Sequence, residues 1–381
     1  MSAPSSPPST AVQVTNPPPA RDEESVRRVQ RTGSTSLSVT LPKAWTEAMN
    51  LKTGDAVRFR DVGEGRLELS LTGEHAQRAQ APPRTLRIDA RGAPPKLLGR
   101  LVVGGFITGQ EHVIITGALT PTQRGEVEHA VARMLGTSIV ADLPGQLEIQ
   151  NFIDPARYPL PRLFSRIAGL LRGQVDQCVR ALDGQDSVDL ERITTVEDEV
   201  DRVYLLLVRQ LLVSSDNFHV AKEVGVPSHH FQLGYRLVAK SLEMVGDLLF
   251  EVGEDLTTDR TLPAKLPGAV RTELSALLQR FGNHLDRTLQ SFSEVTFQGA
   301  NDELNRIGEV YSVLDEAGPR LAAKVRDRSV ALVVQRMVSN LDHALKMLVI
   351  VNEVTINKSV EPEVLLRGST DLLRLDRNAR S

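Results

Sequence analysis

The chain has 381 residues, enough for two or three domains at roughly 150 residues each. Hydrophobic residues make up 41% and charged residues 24%, an ordinary globular balance, but aromatics reach only 4%, so cores must be built from aliphatic side chains. With 45 Lys and Arg against 48 Asp and Glu, the net charge of −3 excludes a uniformly basic nucleic-acid coat protein and leaves room for a local basic patch.

A single cysteine, Cys178, excludes an internal disulfide framework and a Cys-based zinc site. The apolar runs at 101–108 and 347–351 are well short of the roughly 18 residues a membrane span needs. The N-terminus lacks the basic start and apolar stretch of a signal peptide, so a cytoplasmic location is expected.

Residues 1–24 are rich in Pro, Ser, Thr and Ala and read as a disordered tail. The next segment, 25–73, changes texture. Leu37, Val39 and Leu41 alternate with Ser38 and Thr40, which predicts a half-buried strand after the turn Gly33–Ser36. Pro42 opens a helical turn to Met49, because proline is best tolerated where a helix begins. Strands at 56–60 and 66–71 then flank a turn at Gly63–Gly65. So few residues cannot bury a stable core alone, and a second chain is the physical expectation. Beyond a polar linker, 84–152 reads βαβαββ, a small α/β domain with helices on one face of a sheet. Its Gly104, Gly105 and Gly109 lack phosphate-loop spacing and suit a close-packed helix end.

Residues 160–360 are helical. Leu163, Phe164, Ile167, Leu171, Val175 and Leu182 recur at three- and four-residue steps, as do Phe231, Tyr235, Val238, Leu242, Val245, Leu249 and Val252. Six amphipathic helices are predicted, followed by a tail at 361–381. They read as three plus three: Leu242–Leu249 aligns with Leu341–Leu348, and Val200-Asp201 with Leu314-Asp315. The fold class is therefore multidomain: a small all-β N-terminal domain, a small α/β middle domain, and an all-α duplicated three-helix bundle.

Two parts of this pattern resemble known families. Residues 27–71, with Arg-Thr-Gly-Ser-Thr-Ser-Leu-Ser-Val-Thr-Leu-Pro-Lys at 31–43 and Leu-Lys-Thr-Gly-Asp at 51–55, resemble the AbrB/MazE swapped-hairpin domain. That resemblance implies two interleaved chains whose basic β-surface meets DNA. Residues 160–358 resemble PhoU, with Leu242-Glu243-Met244-Val245-Gly246-Asp247 similar to the family's Leu-Glu-Arg-Ile-Gly-Asp signature. It implies phosphate-responsive regulation, metal clusters on Glu/Asp-x-x-x-Asp motifs, and contact with a phosphate ABC transporter ATPase or a sensor histidine kinase. Thr40 stands where some hairpin relatives carry Arg. In the second helical half, Tyr311 stands opposite Glu197 and Lys346 opposite Asp247. A cationic Lys cannot ligate a metal.

Arg27, Arg28, Arg31 and Lys43 lie in a stretch free of acidic residues from Arg27 to Thr46, with Ser34, Thr35 and Ser36 offering hydroxyls. Neutralising phosphates releases counterions, so this stretch is the expected DNA surface; the plainer reading is a solvated strand of a dimerisation module. Four-residue spacing sets Glu197 with Asp201, and Glu243 with Asp247, on one helix face each. Those four carboxylates are the candidate ligands for Mg, Mn, Fe or Zn. Alternatively Arg236, Lys240, Glu243 and Asp247 form one polar stripe that simply faces water. His229-His230 suits a helix cap, Cys178 a core position, and no catalytic arrangement emerges. The expected function is a phosphate-responsive transcriptional regulator acting as a homodimer. The alternative is a signalling adaptor whose hairpin serves only to dimerise.

Overall fold

The computed structural model describes residues 14–15, 26–63, 65–71, 83–184, 190–216, 218–226, 229–259 and 261–361. Its first domain is two separate antiparallel hairpins. In the first, β2 (Gln30–Thr32) pairs with β3 (Ser36–Ser38). Helix α1 (Lys43–Ala48) follows, and β4 (Val57–Gly63) pairs with β5 (Arg66–Leu71). Gly33, with φ of 82°, supplies the left-handed turn that closes the first hairpin.

The half-buried strand predicted over Leu37–Leu41 is shorter and fully exposed instead: Leu37 is 72% and Val39 50% accessible. No described residue between 26 and 71 is buried, and Phe59 and Leu67 are also open to solvent. Among the described residues of one chain these apolar side chains stay uncovered, the condition that a second chain relieves.

The middle domain is one five-stranded sheet, ordered β1 (Val14–Thr15), β6 (Thr85–Asp89), β7 (His112–Thr116), β9 (Gln146–Asn151) and β8 (Thr137–Leu143). Strands β6 and β7 are parallel across helix α2 (Leu97–Ile107). Helix α3 (Pro121–Ala132) precedes the antiparallel pair β8 and β9. Every second residue, Leu86, Ile88, Val113, Ile115, Leu147 and Ile149, is buried in the core that Leu98, Val102, Phe106 and Val127 complete. A methyl on Gly105 would sit 2.9 Å from Leu86 Cδ2, so α2 lies tight on the sheet there, as the glycine pattern suggests.

Strand β1 is Val14–Thr15, within the segment read from sequence as a disordered tail. It pairs with Ile88 and Arg87 on the free edge of β6. The hairpin domain is thereby bracketed by two neighbouring strands of the middle sheet. The other residues of that segment, and those at 362–381, lie outside the described residues.

The bundle has six long helices: α4 (Leu160–Leu182), α5 (Leu190–Asp216) and α7 (His229–Thr258), then α9 (Gly268–Glu294), α10 (Phe297–Ala322) and α11 (Arg328–Ser359). Two short helices that periodicity did not reveal, α6 (Phe218–Val224) and α8 (Leu262–Lys265), fill the connections. The halves join like on like: α7 packs on α11 and α4 on α9. No helix among the described residues is long and apolar enough to cross a membrane.

Candidate functional site

Helices α5 and α7 approach closely because α7 presents glycines to α5. A methyl on Gly246 would lie 2.9 Å from Val200 Cγ1, and one on Gly253 would lie 2.9 Å from Ile193 Cδ1. Only residues without a side chain permit that spacing. It brings the predicted carboxylates of α5 beside those of α7. Ligand oxygens of Glu197, Asp201 and Asp247 all fall within 4.8 Å of one another.

The fourth predicted ligand, Glu243, stands apart. It is 9% exposed and its carboxylate is taken by Lys240 one turn earlier. The helix is the reason: Glu243 and Asp247 are one turn apart along α7, and the nearer lysine neutralises the first. Arg236 does not complete the offsetting pattern expected of a solvated stripe, since it lies over the Tyr204 ring at 5.5 Å. Asp201 is only 8% exposed, whereas Glu197 and Asp247 are more open, so the cluster sits at the edge of the α5–α7 seam.

Arg133 and Lys240 relieve the electrostatics of the cluster only in part. Burial, reinforced by Asp201, Asp198 and Asp247, pushes the Glu197 carboxyl up to about 7. Burial, with Glu243 and Asp201, pushes Asp247 up to about 6. A bound cation reverses both effects, because it favours the charged carboxylates. The donors are all oxygen, which fits Mg²⁺, Mn²⁺ or iron better than zinc.

Sequence reasoning missed the residue that links this cluster to the rest of the protein. Arg133, just past the end of α3, ion-pairs with Asp201. Neighbouring side chains of α5 also reach into the middle domain. Arg202 donates to the Ala132 carbonyl at 3.2 Å, and buried Arg209 donates to the carbonyls of Phe106 and Gln110. Gln210 donates to the carbonyls of Pro155 and Tyr158, in the connection that follows that domain, each at 2.8 Å. Arginines at carbonyl ends of helices satisfy acceptors that helices leave open. The signal in the sequence was faint: Arg209 is a cation inside an otherwise apolar run.

In the second half the corresponding place is filled from within. Lys346, aligned with Asp247, pairs with Asp342 at 2.6 Å, and Asp315 further favours its charged form. This ammonium supplies the positive charge there.

At the hairpin, Arg27 and Arg28 precede β2, and all seven predicted DNA-facing residues are exposed. The structure brings Arg31 onto the turn, where its guanidinium donates to the Ser34 carbonyl at 2.9 Å, beside Thr35 and Ser36. Lys43 is partly offset by Glu47 at 3.5 Å. The side chains of His229 and His230 lie outside the described residues. Cys178 is buried, and its burial pushes the thiol up to about 12, as befits a core position.

Residues 30–74 match the family model described as antidote-toxin recognition MazE, bacterial antitoxin. Residues 164–256, which span α4 to α7, match the PhoU domain. No curated protein matches the chain. The chain thus joins a MazE-type segment to a PhoU domain, with the small α/β domain between them.

Proposed function

We propose that the protein is a phosphate-responsive transcriptional regulator that works as a homodimer in the cytoplasm. The observation that carries this reading is the hairpin surface. Arg27, Arg28 and Arg31 are exposed in a stretch free of acidic residues from Arg27 to Thr46, next to apolar residues that lack a core. A second chain covers the apolar side and doubles the charge on the other. The matched MazE-type family supports the same assignment, as does the PhoU match for phosphate signalling.

The sensing end is the Glu197–Asp201–Asp247 cluster, which would hold a hard divalent cation; that cation would supply positive charge able to bind an anion such as phosphate. Asp201 already serves Arg133, so occupancy changes how firmly α5 grips the middle domain, and β1 and β6 carry that domain to the hairpin. An effector shifts DNA affinity only through unequal binding to the two states. The regulation is proposed to be negative, limiting phosphate uptake.

Fluorescence anisotropy on duplexes from upstream of its own gene and of phosphate-transport genes tests the DNA arm. Binding should depend on sequence and weaken with salt at a log–log slope near −0.9 per contacted phosphate. Substituting Arg27, Arg28 and Arg31 together by Ala should flatten that slope by about 3 to 5 in a dimer. Binding that ignores sequence, or an unchanged slope, contradicts the assignment.

A second reading is favoured by one observation. Along α7, Leu233 is 77% exposed, Leu237 48% and Met244 36%, an apolar stripe open to a partner. An adaptor would use it to hold the phosphate transporter's ATPase or a sensor kinase, with the hairpin only dimerising. Capture of either partner by a protein without DNA affinity would establish that alternative.

A further inference from the structure

The bundle has a second feature, which shares helix α7 with the acidic cluster and is independent of the DNA-binding reading. In a chain with only ten Phe and four Tyr, three Phe and one Tyr converge at one end of the seam between the two halves. Phe164 of α4 lies 5.0 Å from Phe292 of α9 and 5.5 Å from Tyr235 of α7, ring centre to ring centre. Phe231 stacks on Tyr235 at 6.1 Å. Beside them is a cavity of about 430 Å³, within the size range of small-molecule sites.

Into that aromatic wall α11 places Lys358. Its Nζ lies 4.7 Å from the Tyr235 ring centre, 5.1 Å from Phe292 and 5.6 Å from Phe231. Among the described residues no carboxylate pairs with it, and burial alone holds its ammonium down at about 8. The rings hold the cation in place but do not neutralise it. Helix α4 begins at the same cavity, with Leu160 in its wall and no side chain capping its N-terminus. The positive end of that helix therefore adds to the lysine rather than opposing it. Ser165 and Pro161, both exposed, form the mouth.

We infer that this cavity binds a small amphipathic monocarboxylate, an arylalkyl or short acyl acid. Its carboxylate would meet Lys358, and its apolar body would lie against Phe164, Tyr235 and Phe292. One lysine neutralises one negative charge. A free phosphate dianion would bring a second charge for which the lining offers neutral donors, Ser165, Gln290 and Ser293 among them, and no second cation. The volume also exceeds what a lone inorganic anion would fill. Because the cavity touches α4, α7, α9 and α11, such a ligand would clamp the two halves of the bundle together.

Calorimetry with 3-phenylpropionate and octanoate on the full-length protein tests this, with 3-phenylpropan-1-ol and inorganic phosphate as controls. At least one of the two acids should bind saturably, one per chain, and raise the melting temperature. The alcohol should bind much more weakly, and phosphate should not compete. Lys358→Met should weaken acid binding by about tenfold or more while leaving the alcohol unchanged. The same variant should fold at least as stably as the wild type, since it removes an unneutralised, partly buried cation; a purely packing role for Lys358 predicts the opposite. Ser165→Trp, at an exposed mouth position, should block both ligands. Acid binding that survives Lys358→Met, equal binding of acid and alcohol, competition by phosphate, or no saturable binding of either acid would overturn the inference.

Discussion

At the scale of single residues, Asp201 faces two claims. It pairs with Arg133 of the middle domain, and it shares a 4.8 Å cluster with Glu197 and Asp247. The raised positions of Glu197, at about 7, and Asp247, at about 6, give the cluster a definite pH signature. Both carboxyls hold a proton in the folded chain at pH values where the unfolded chain has released it. Their stabilising contribution is therefore greatest below about pH 4 and is lost as pH rises through 6 to 7. Glu197→Gln should remove part of that pH dependence and stabilise the metal-free protein at pH 7.5, by on the order of 1 kcal/mol after solvent screening. Urea unfolding of variant and wild type at pH 5 and 7.5 checks the sign; a difference that does not change with pH refutes it. Mn²⁺ should stabilise the wild type at pH 7.5 and the variant much less.

At the scale of elements, α5 serves two masters with two faces. One face gives Glu197 and Asp201 to α7; the other gives Arg202 and Arg209 to carbonyls of the middle domain and Gln210 to carbonyls of the connection that follows it. Arg209 is 4% exposed and its charge is held without a carboxylate partner in the hydrogen bonds described. Replacing it with Ala would take the side-chain donor from the Gln110 carbonyl and leave the Phe106 carbonyl with the Gly109 amide, at a buried joint. That should cost about 2 to 4 kcal/mol and loosen the middle domain from the bundle. Denaturant unfolding followed by amide exchange in α2 is the check: unchanged protection at 104–110 would refute the role.

Much of this level was legible in the sequence. The strands at 85–89 and 112–116 and the long helices announce themselves by period, because burial on one side dictates the repeat. Joints between domains carry no period. Arg133 and Arg209 act across 68 and 103 residues of chain, so local pattern cannot assign their partners. Likewise the spacing of Glu243 and Asp247 shows that they share a face, not that Lys240 claims one of them. The pairing of Val14–Thr15 with β6 was hidden by a proline-rich setting that composition reads as unstructured. The aromatic cage around Lys358 draws on α7, α9 and α11, so no single stretch of sequence announces it.

At the scale of the whole molecule, the hairpin is bracketed by β1 and β6, the middle domain is docked on α5, and α5 carries half of the acidic cluster. The contacts run from the bundle to the middle domain, and from there the chain itself leads to the basic surface. A path is not yet coupling; what it requires is that occupancy of the cluster and affinity for DNA depend on each other. The most direct measurement is the DNA-binding isotherm of the full-length protein, by anisotropy at fixed salt, with and without Mn²⁺. The same pair of isotherms is then recorded for Glu197→Gln/Asp247→Asn. Coupling of ordinary strength predicts a shift in Kd of about 5-fold or more in the wild type, and none in the double variant. Identical isotherms for the wild type with and without Mn²⁺ would contradict the account.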